Sequence, residues 1–262
     1  MPRPDRAPDR EAALDRLRAA GCVFAEDEWA ELLRAAGPAG DLAGLLDRRV
    51  AGEPLEHVVG SAVFGGLRLA VVPGTFVPRA RTLLTARRAR RRLRPGDALL
   101  DLGCGVGTIA AWCAARVPHV RVTAVDIDPR AVACARRNLP PDARVVCGDA
   151  ADVLGAEPGT FGAIAANLPY VPTAHLALMP RDARDHEPLP ALDGGRDGLD
   201  PLRRVAPLLA PRLAARGRFV TEVSVDQAPR AARILQDAGL ARVRVRTDAG
   251  LDATAVEGHA PR

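Results

Sequence analysis

Ala98-Leu-Leu-Asp-Leu-Gly-Cys-Gly-Val-Gly-Thr108 is the stretch that decides the fold. An apolar run of strand length, Ala98 to Leu102, ends in a glycine-rich turn, and a helical pattern over 108–116 follows. Glycines at 103, 105 and 107 let the backbone turn tightly and come close to a ligand. Their spacing is G-x-G-x-G, with Asp101 two residues before the first glycine. A dinucleotide site wants G-x-G-x-x-G, and Thr108 stands where its third glycine would be. An acid at the mouth also repels a pyrophosphate. A ligand with a cationic amino-acid part fits this loop better.

Outward from this turn the chain keeps alternating strand and helix, as a doubly wound parallel sheet requires. After Pro95-Gly96 the strands fall near 98–102, 121–125, 143–147, 161–166 and 217–223. Helices fall near 108–116, 129–138, 199–210 and 227–238, and two closing strands near 241–246 and 253–257 complete seven. The segment 168–198 is rich in proline, aspartate and glycine, and a loop that long is functional or disordered.

Upstream the pattern differs. Residues 1–8 have almost nothing to bury and read as a disordered tail. Residues 9–51 place leucines at helical spacing, for a small domain of about three helices. Residues 52–74 form a connector, in which Val58-Val59, Val63-Phe64 and Leu67 to Val72 read as a β-hairpin broken at Gly65-Gly66. The catalytic domain then spans 75–262, opening with a helix from about Ala80 to Leu93.

Composition narrows the partners. With 262 residues and 48% apolar content the chain can bury a large core. No apolar stretch is long enough to span a membrane, and the first residues carry no apolar signal region. A soluble cytoplasmic protein is expected. All 37 basic residues are arginine, as a GC-rich coding sequence produces, so the net charge of +5 points only weakly to nucleic acid. The run Arg87 to Arg94 reads as the solvated face of a helix. Five cysteines without a C-x-x-C pair, and scattered histidines, give no disulfide framework and no metal site.

Three further positions carry chemistry. Asp126 ends the second core strand, 19 residues after Gly107, where an acid accepts hydrogen bonds from a ribose diol. Asp128-Pro129 reads instead as a helix cap with proline at the first helical position. Gly148-Asp149 ends the third strand, where a carboxylate can accept from an adenine amine or cap a helix. Asn167-Leu-Pro-Tyr170 follows the buried run Phe161 to Ala166, and it joins one of two asparagines to the only tyrosine. The Asn167 side-chain carbonyl and the Leu168 main-chain carbonyl can accept both N–H bonds of a planar –NH2 group. That localises a lone pair which is otherwise delocalised and poorly nucleophilic. Tyr170 can pack beside the planar group and a cationic methyl.

A glycine loop, a ribose acid, a third-strand acid and this tetrapeptide after successive strands resemble the class I S-adenosylmethionine-dependent methyltransferases that modify amino groups. The resemblance implies that fold, a mostly parallel seven-stranded sheet. Flanking segments resemble one family, the HemK/PrmC protein-glutamine N5-methyltransferases. They are Gly52-Glu-Pro-Leu-Glu-His-Val-Val-Gly60, Phe64-Gly-Gly-Leu67, Pro73-Gly-Thr-Phe-Val-Pro-Arg79, Glu187-Pro188, Ala191-Leu-Asp-Gly-Gly195, Asp197-Gly-Leu199, Arg203-Arg204 and Glu222-Val223 with Gln227.

By that resemblance Asp101, Leu102, Gly103, Cys104, Gly105, Gly107, Asp126, Ile127, Asp149, Ala150 and Asn167 contact S-adenosylmethionine, which leaves as S-adenosylhomocysteine. Asn167, Leu168, Pro169 and Tyr170 hold the glutamine amide. The helical domain recognises a protein substrate, in that family typically the Gly-Gly-Gln loop of a translation release factor. The chain departs from the pattern in having Leu168 for the family's first proline and in continuing Arg79-Ala-Arg-Thr-Leu83 without its acids. It also has His186 where an aromatic is common, and its helical domain is short.

Leu168 also makes the tetrapeptide resemble that of ribosomal-RNA adenine dimethyltransferases. Methylation of an RNA or DNA adenine, or of a small-molecule amine, is therefore the alternative, and a cofactor-binding protein without catalysis a third. The 3% aromatic content argues against single-stranded bases, which need stacking platforms.

Overall fold

The computed structural model describes residues 8–38 and 40–261. The tail expected over 1–8 lies, apart from Pro8, outside them. Helices α1 (Arg10–Ala19), α2 (Ala25–Ala36) and α3 (Leu42–Val50) pack around Leu14, Leu17, Trp29, Leu32 and Leu46. Asp9 and Asp41 cap α1 and α3 through their carboxylates. A fourth short helix, α4 (Leu55–Val59), follows. It holds Val58-Val59, which the sequence reading put in a hairpin. Pro54 opens this single turn and left-handed Gly60 (φ 71°) closes it, overriding the β preference of two valines.

The hairpin itself is β1 (Ser61–Phe64) and β2 (Leu67–Ala70), turning at Gly65-Gly66. Its turn docks on helix α6 (Thr108–Ala114), where Trp112 Nε1 and the Arg116 guanidinium both donate to the Gly65 carbonyl, at 3.2 and 2.7 Å. Asn138 clips the other end. Its side chain accepts from Ala70 N at 2.8 Å and donates to the carbonyls of Ala70 and Val106.

Beyond helix α5 (Thr82–Arg90) the elements alternate as expected. They are β3 (Ala98–Leu102), α6, β4 (Arg121–Asp126), α7 (Pro129–Asn138), β5 (Arg144–Cys147), α8 (Ala150–Ala156), β6 (Phe161–Ala166), α9 (Arg181–His186), α10 (Leu189–Leu192), α11 (Asp200–Leu209), β7 (Leu213–Glu222), α12 (Ala228–Asp237), β8 (Ala241–Asp248) and β9 (Ala253–His259). Helix α8 is an addition to the sequence reading. Strand β7 begins four residues before its expected start. The 168–198 segment is ordered through a 3-10 turn at Thr173–Leu178 and helices α9 and α10.

The seven strands run in the order β5-β4-β3-β6-β7-β9-β8. The first five are parallel, and β9 pairs antiparallel with both β7 and β8. Side chains alternate across β3. Leu99 enters the core under α5, α6 and α7, whereas Leu100 and Leu102 enter the core under α8, α11 and α12. The chain reverses direction across the sheet between β3 and β6, so a crevice opens at their carboxyl ends.

The arginine run 87–94 is only partly a solvated face. Arg88 turns inward and meets the buried Glu257 carboxylate at 2.8 Å, which ties α5 to β9. No helix is long and apolar enough to cross a membrane among the described residues.

Candidate active site

The crevice is a cavity of about 1010 Å³, walled by the turns after β3, β4, β5 and β6, by residues 76–82 and by the 179–193 segment. Each turn brings one chemically distinct group to it.

The glycine turn comes first. Gly103 (φ 65°) lets its backbone press against the tetrapeptide, since a Cβ there would sit 3.0 Å from the Asn167 carbonyl oxygen. Gly107 (φ 85°) meets α7, and a Cβ there would lie 3.2 Å from Leu139 Cγ. Gly107 thus takes the close-packing role that the sequence reading looked for at Thr108. Around Gly105 there is open space.

Asp101 lies behind this turn, fully buried and off the cavity wall, as are Leu102 and Gly107. Its Oδ2 accepts from Ala110 N at 2.9 Å, so it anchors α6. Its Oδ1 has no partner among the described residues. Burial pushes this carboxyl up to about 7, against the pull of the Ala110 N–H.

Asp126 is on the wall. One oxygen accepts from Gly105 N at 2.8 Å and the other from Asp128 N at 2.9 Å, which leaves each oxygen a further lone pair. Burial raises its pKa, and these N–H bonds oppose the rise. Ile127 is an exposed apolar lip beside it. Asp128 caps α7 through Arg130 N at 2.8 Å, the simpler of the roles open to it.

Asp149 does two things. Its Oδ1 caps α8 by accepting from Ala151 N at 2.9 Å and Asp152 N at 3.3 Å. Both oxygens also take the Arg204 guanidinium of α11, each at 2.9 Å, and Oδ2 keeps a lone pair. Ala150 lines the wall next to it.

The tetrapeptide follows β6. The Leu168 side chain is buried in the core under α11 and α12 and lies against the Gly103 turn. Its identity therefore concerns packing, and only its carbonyl is left for a ligand. Tyr170 OH donates to Glu222 Oε1 at 2.9 Å, and burial beside that carboxylate raises the phenol's pKa. Asn167 Nδ2 donates to Thr82 Oγ1 at 3.4 Å.

The long segment after the tetrapeptide folds back to hold it. Val171 N donates to Leu192 O, and Gly194 N donates to Val171 O. Gln227 Nε2 ties the Tyr170 carbonyl to the Asp197 carbonyl, at 2.7 and 3.0 Å. A Cβ on Gly198 (φ 77°) would fall 2.2 Å from the Tyr170 carbonyl oxygen, so that turn needs glycine. Arg79 bridges to Glu187 across the cavity wall and lies over Phe76. Burial pushes Glu187 up to about 7, with Arg79 opposing, and its Oε2 has no partner.

The structure therefore brings Gly103, Cys104, Gly105, Asp126, Ile127, Asp149, Ala150 and the whole tetrapeptide to one cavity, with Asp101, Leu102 and Gly107 directly behind. Sequence reasoning gave no role to Thr82, Arg79, Glu187, Glu222 or Arg204. Thr82 lies 85 positions from its partner Asn167, and the acid and arginine side chains lie 52 to 108 positions from theirs, beyond the reach of motif spacing.

A methyltransferase-domain family model matches residues 99–186. A release factor glutamine methyltransferase of Geobacter sulfurreducens is 38% identical over 188 residues, covering 71% of this chain and 66% of that one. The chain thus spans just under two thirds of that relative's length. A release factor glutamine methyltransferase of Bordetella pertussis is 36% identical over 79% of this chain and 78% of its own. Among solved structures, the ribosomal protein L11 methylase of Lactobacillus delbrueckii subsp. bulgaricus matches with a TM-score of 0.52 at 17% identity, over 72% of this chain and 82% of that one. That likeness is one of fold. The sheet, its flanking helices and the matching domain are those of a class I methyltransferase.

Proposed function

The chain belongs to the family of release factor glutamine methyltransferases, and on that premise we propose that it methylates the side-chain amide nitrogen of a glutamine in a protein, a translation release factor being the first candidate. The observation that carries this reading is the tetrapeptide at the cavity. Asn167 donates its Nδ2 to Thr82, which leaves Oδ1 as an acceptor beside the Leu168 carbonyl.

The residues present fit S-adenosylmethionine. Asp126 keeps a lone pair on each oxygen for a ribose diol. Asp149 Oδ2 keeps one for an adenine amine, beside the small Ala150. The open space at Gly105 and the unpaired Asp101 oxygen behind it suit a cationic amino-acid group. When bound, S-adenosylmethionine supplies an electrophilic methyl on a sulfonium.

The chain's own contribution is orientation and charge. Two carbonyl acceptors fix the amide plane and draw its N–H bonds, so that the nitrogen lone pair points one way. They also face the place where positive charge grows on nitrogen. Tyr170 packs against the planar group while its hydroxyl is held from behind. The cavity is apolar enough around Leu168, Pro169 and Phe76 to keep these interactions out of bulk water. The helical unit exposes Val23 and Phe24, which offer a protein acceptor an apolar grip.

Incubation with methyl-labelled S-adenosylmethionine and a cell extract tests the substrate class. Protease should release the label and nuclease should not. Nuclease-sensitive label alone would favour the adenine reading and overturn this one.

A further inference from the structure

Asn167 can serve as an acceptor only in one of two orientations of its amide. The two are nearly isosteric, and the wrong one points an NH2 donor at the donors of the substrate. Something must choose between them. The only side-chain partner of Asn167 among the described residues is Thr82 Oγ1, which accepts from Nδ2 at 3.4 Å. A hydroxyl, however, can donate as well as accept, so Thr82 alone does not choose.

Glu222 does. It ends β7 behind the cavity wall, with 3% of its surface exposed, and is not on the wall itself. Tyr170 OH donates to its Oε1 at 2.9 Å. Its Oε2 is buried without a hydrogen bond of its own. The Thr82 hydroxyl, also buried, is the polar group that does most to stabilise the Glu222 charge. A carboxylate has only acceptors to offer. The hydroxyl protons of Tyr170 and Thr82 are therefore both drawn to it, and Thr82 Oγ1 is left with lone pairs for Asn167.

We propose that Glu222 is a positioning residue, which works through Thr82 to lock the Asn167 amide with Nδ2 inward and Oδ1 toward the cavity, and which at the same time anchors the Tyr170 ring. The consequence for substrate rests on the reading that Oδ1 accepts an acceptor N–H. The consequence for the amide itself does not. Glu222 touches no substrate, and its effect is carried by the direction of two hydroxyl protons.

Glu222→Gln keeps the shape and removes the sense of direction, because its NH2 can donate to either hydroxyl. Thr82 can then donate to Asn167 and turn the amide round. Thr82→Val removes the relay outright, and Thr82→Ser keeps it. The test has two readouts. In the cofactor-free protein, nuclear Overhauser contacts between the Asn167 side-chain NH2 protons and the Thr82 methyl report the orientation. They should be present in the wild type and weakened in Glu222→Gln. In turnover, Glu222→Gln and Thr82→Val should each lower kcat/KM for a glutamine acceptor about tenfold, the middle of the range for coupled neighbours. Cofactor Kd should stay within about twofold, since these residues do not face the cofactor's carboxylates. Thr82→Ser should recover most of the loss.

An Asn167→Asp background supplies the signature that a merely structural role would not give. Aspartate accepts in both orientations, so adding Glu222→Gln there should cost much less than it costs in the wild type. Equal costs in the two backgrounds, or unchanged Overhauser contacts in Glu222→Gln, would overturn the inference. If no glutamine is methylated by the wild type, the proposed function fails, while the contacts still decide the role of Glu222.

Discussion

Asn167 and Asp101 both sit at strand ends, and they make opposite demands on the protein. Asn167 is half exposed to the cavity and contributes little to folding. Replacing it with alanine should lower kcat/KM roughly 100-fold, as losing a preorganised polar group at a reacting centre does, with cofactor Kd changed less than about threefold. Turnover and titration calorimetry on the same sample check this, and wild-type kinetics would remove Asn167 from its assigned role. Asp101 is buried and costs stability. Its carboxyl, raised to about 7, holds its proton more tightly in the folded chain than in the unfolded one. The fold is therefore most stable below the ordinary carboxylate range and loses stability as pH climbs to about 7. Asp101→Asn should flatten that loss, so that the variant outlasts the wild type in urea at about pH 8 while binding S-adenosylmethionine more weakly. A variant that loses stability at about pH 8 would show that the charge is compensated in the fold. Asp101 and Asp126 were legible in the sequence, because each follows a strand at a spacing that means something. Glu222 was quoted there only for a resemblance, since nothing local says which oxygen meets which hydroxyl.

At the scale of elements, the long 168–198 segment works as a brace. Its glycines are there because other backbone lies against them. Gly198→Ala would drive a methyl into the Tyr170 carbonyl and the Gln227 amide at a left-handed backbone position. The expected cost is about 1–3 kcal/mol of stability, from overpacking. Activity should fall further than stability alone explains, because the tetrapeptide moves with the brace. Denaturant midpoints and kcat, compared with those of an exposed control such as Gly159→Ala, measure the two effects. The alternation of strands and helices was readable because buried parallel strands such as Phe161–Ala166 are short, apolar and bounded. Helix α8 was missed because it is only two turns long and buries a single leucine, Leu154, too little for a period to emerge. Its N-cap, Asp149, had been read mainly for a ligand. Val58-Val59 was misassigned because two valines favour a strand, whereas the flanking Pro54 and Gly60 close a helical turn.

For the whole molecule, the hairpin and Asn138 fix the small helical unit against the sheet. Arg68 of β2 adds ion pairs to Glu31 of α2, at 3.1 Å. The apolar tip at Val23-Phe24 is thus presented on a braced arm rather than on a loose one. If that tip grips the protein acceptor, Phe24→Ser should raise KM for an intact protein several-fold, about what one interface aromatic contributes, and leave KM for a short glutamine peptide unchanged. Equal effects on both would place the grip elsewhere. The distribution of charge also belongs to this scale. The cavity sets the acids Asp126 and Asp149 beside arginines 79, 81 and 204, so it can hold a cationic cofactor without drawing in a polyphosphate.

The central claim is the chemical identity of the methylated atom. The purified protein, incubated with S-adenosylmethionine and a release factor carrying a Gly-Gly-Gln loop, should yield one added methyl group. Fragmentation by tandem mass spectrometry should place it on the side-chain amide nitrogen of that glutamine, and the Asn167→Ala protein should fail to add it. A methyl group found on an adenine, a main-chain atom or another side chain, with the glutamine untouched, would contradict the account.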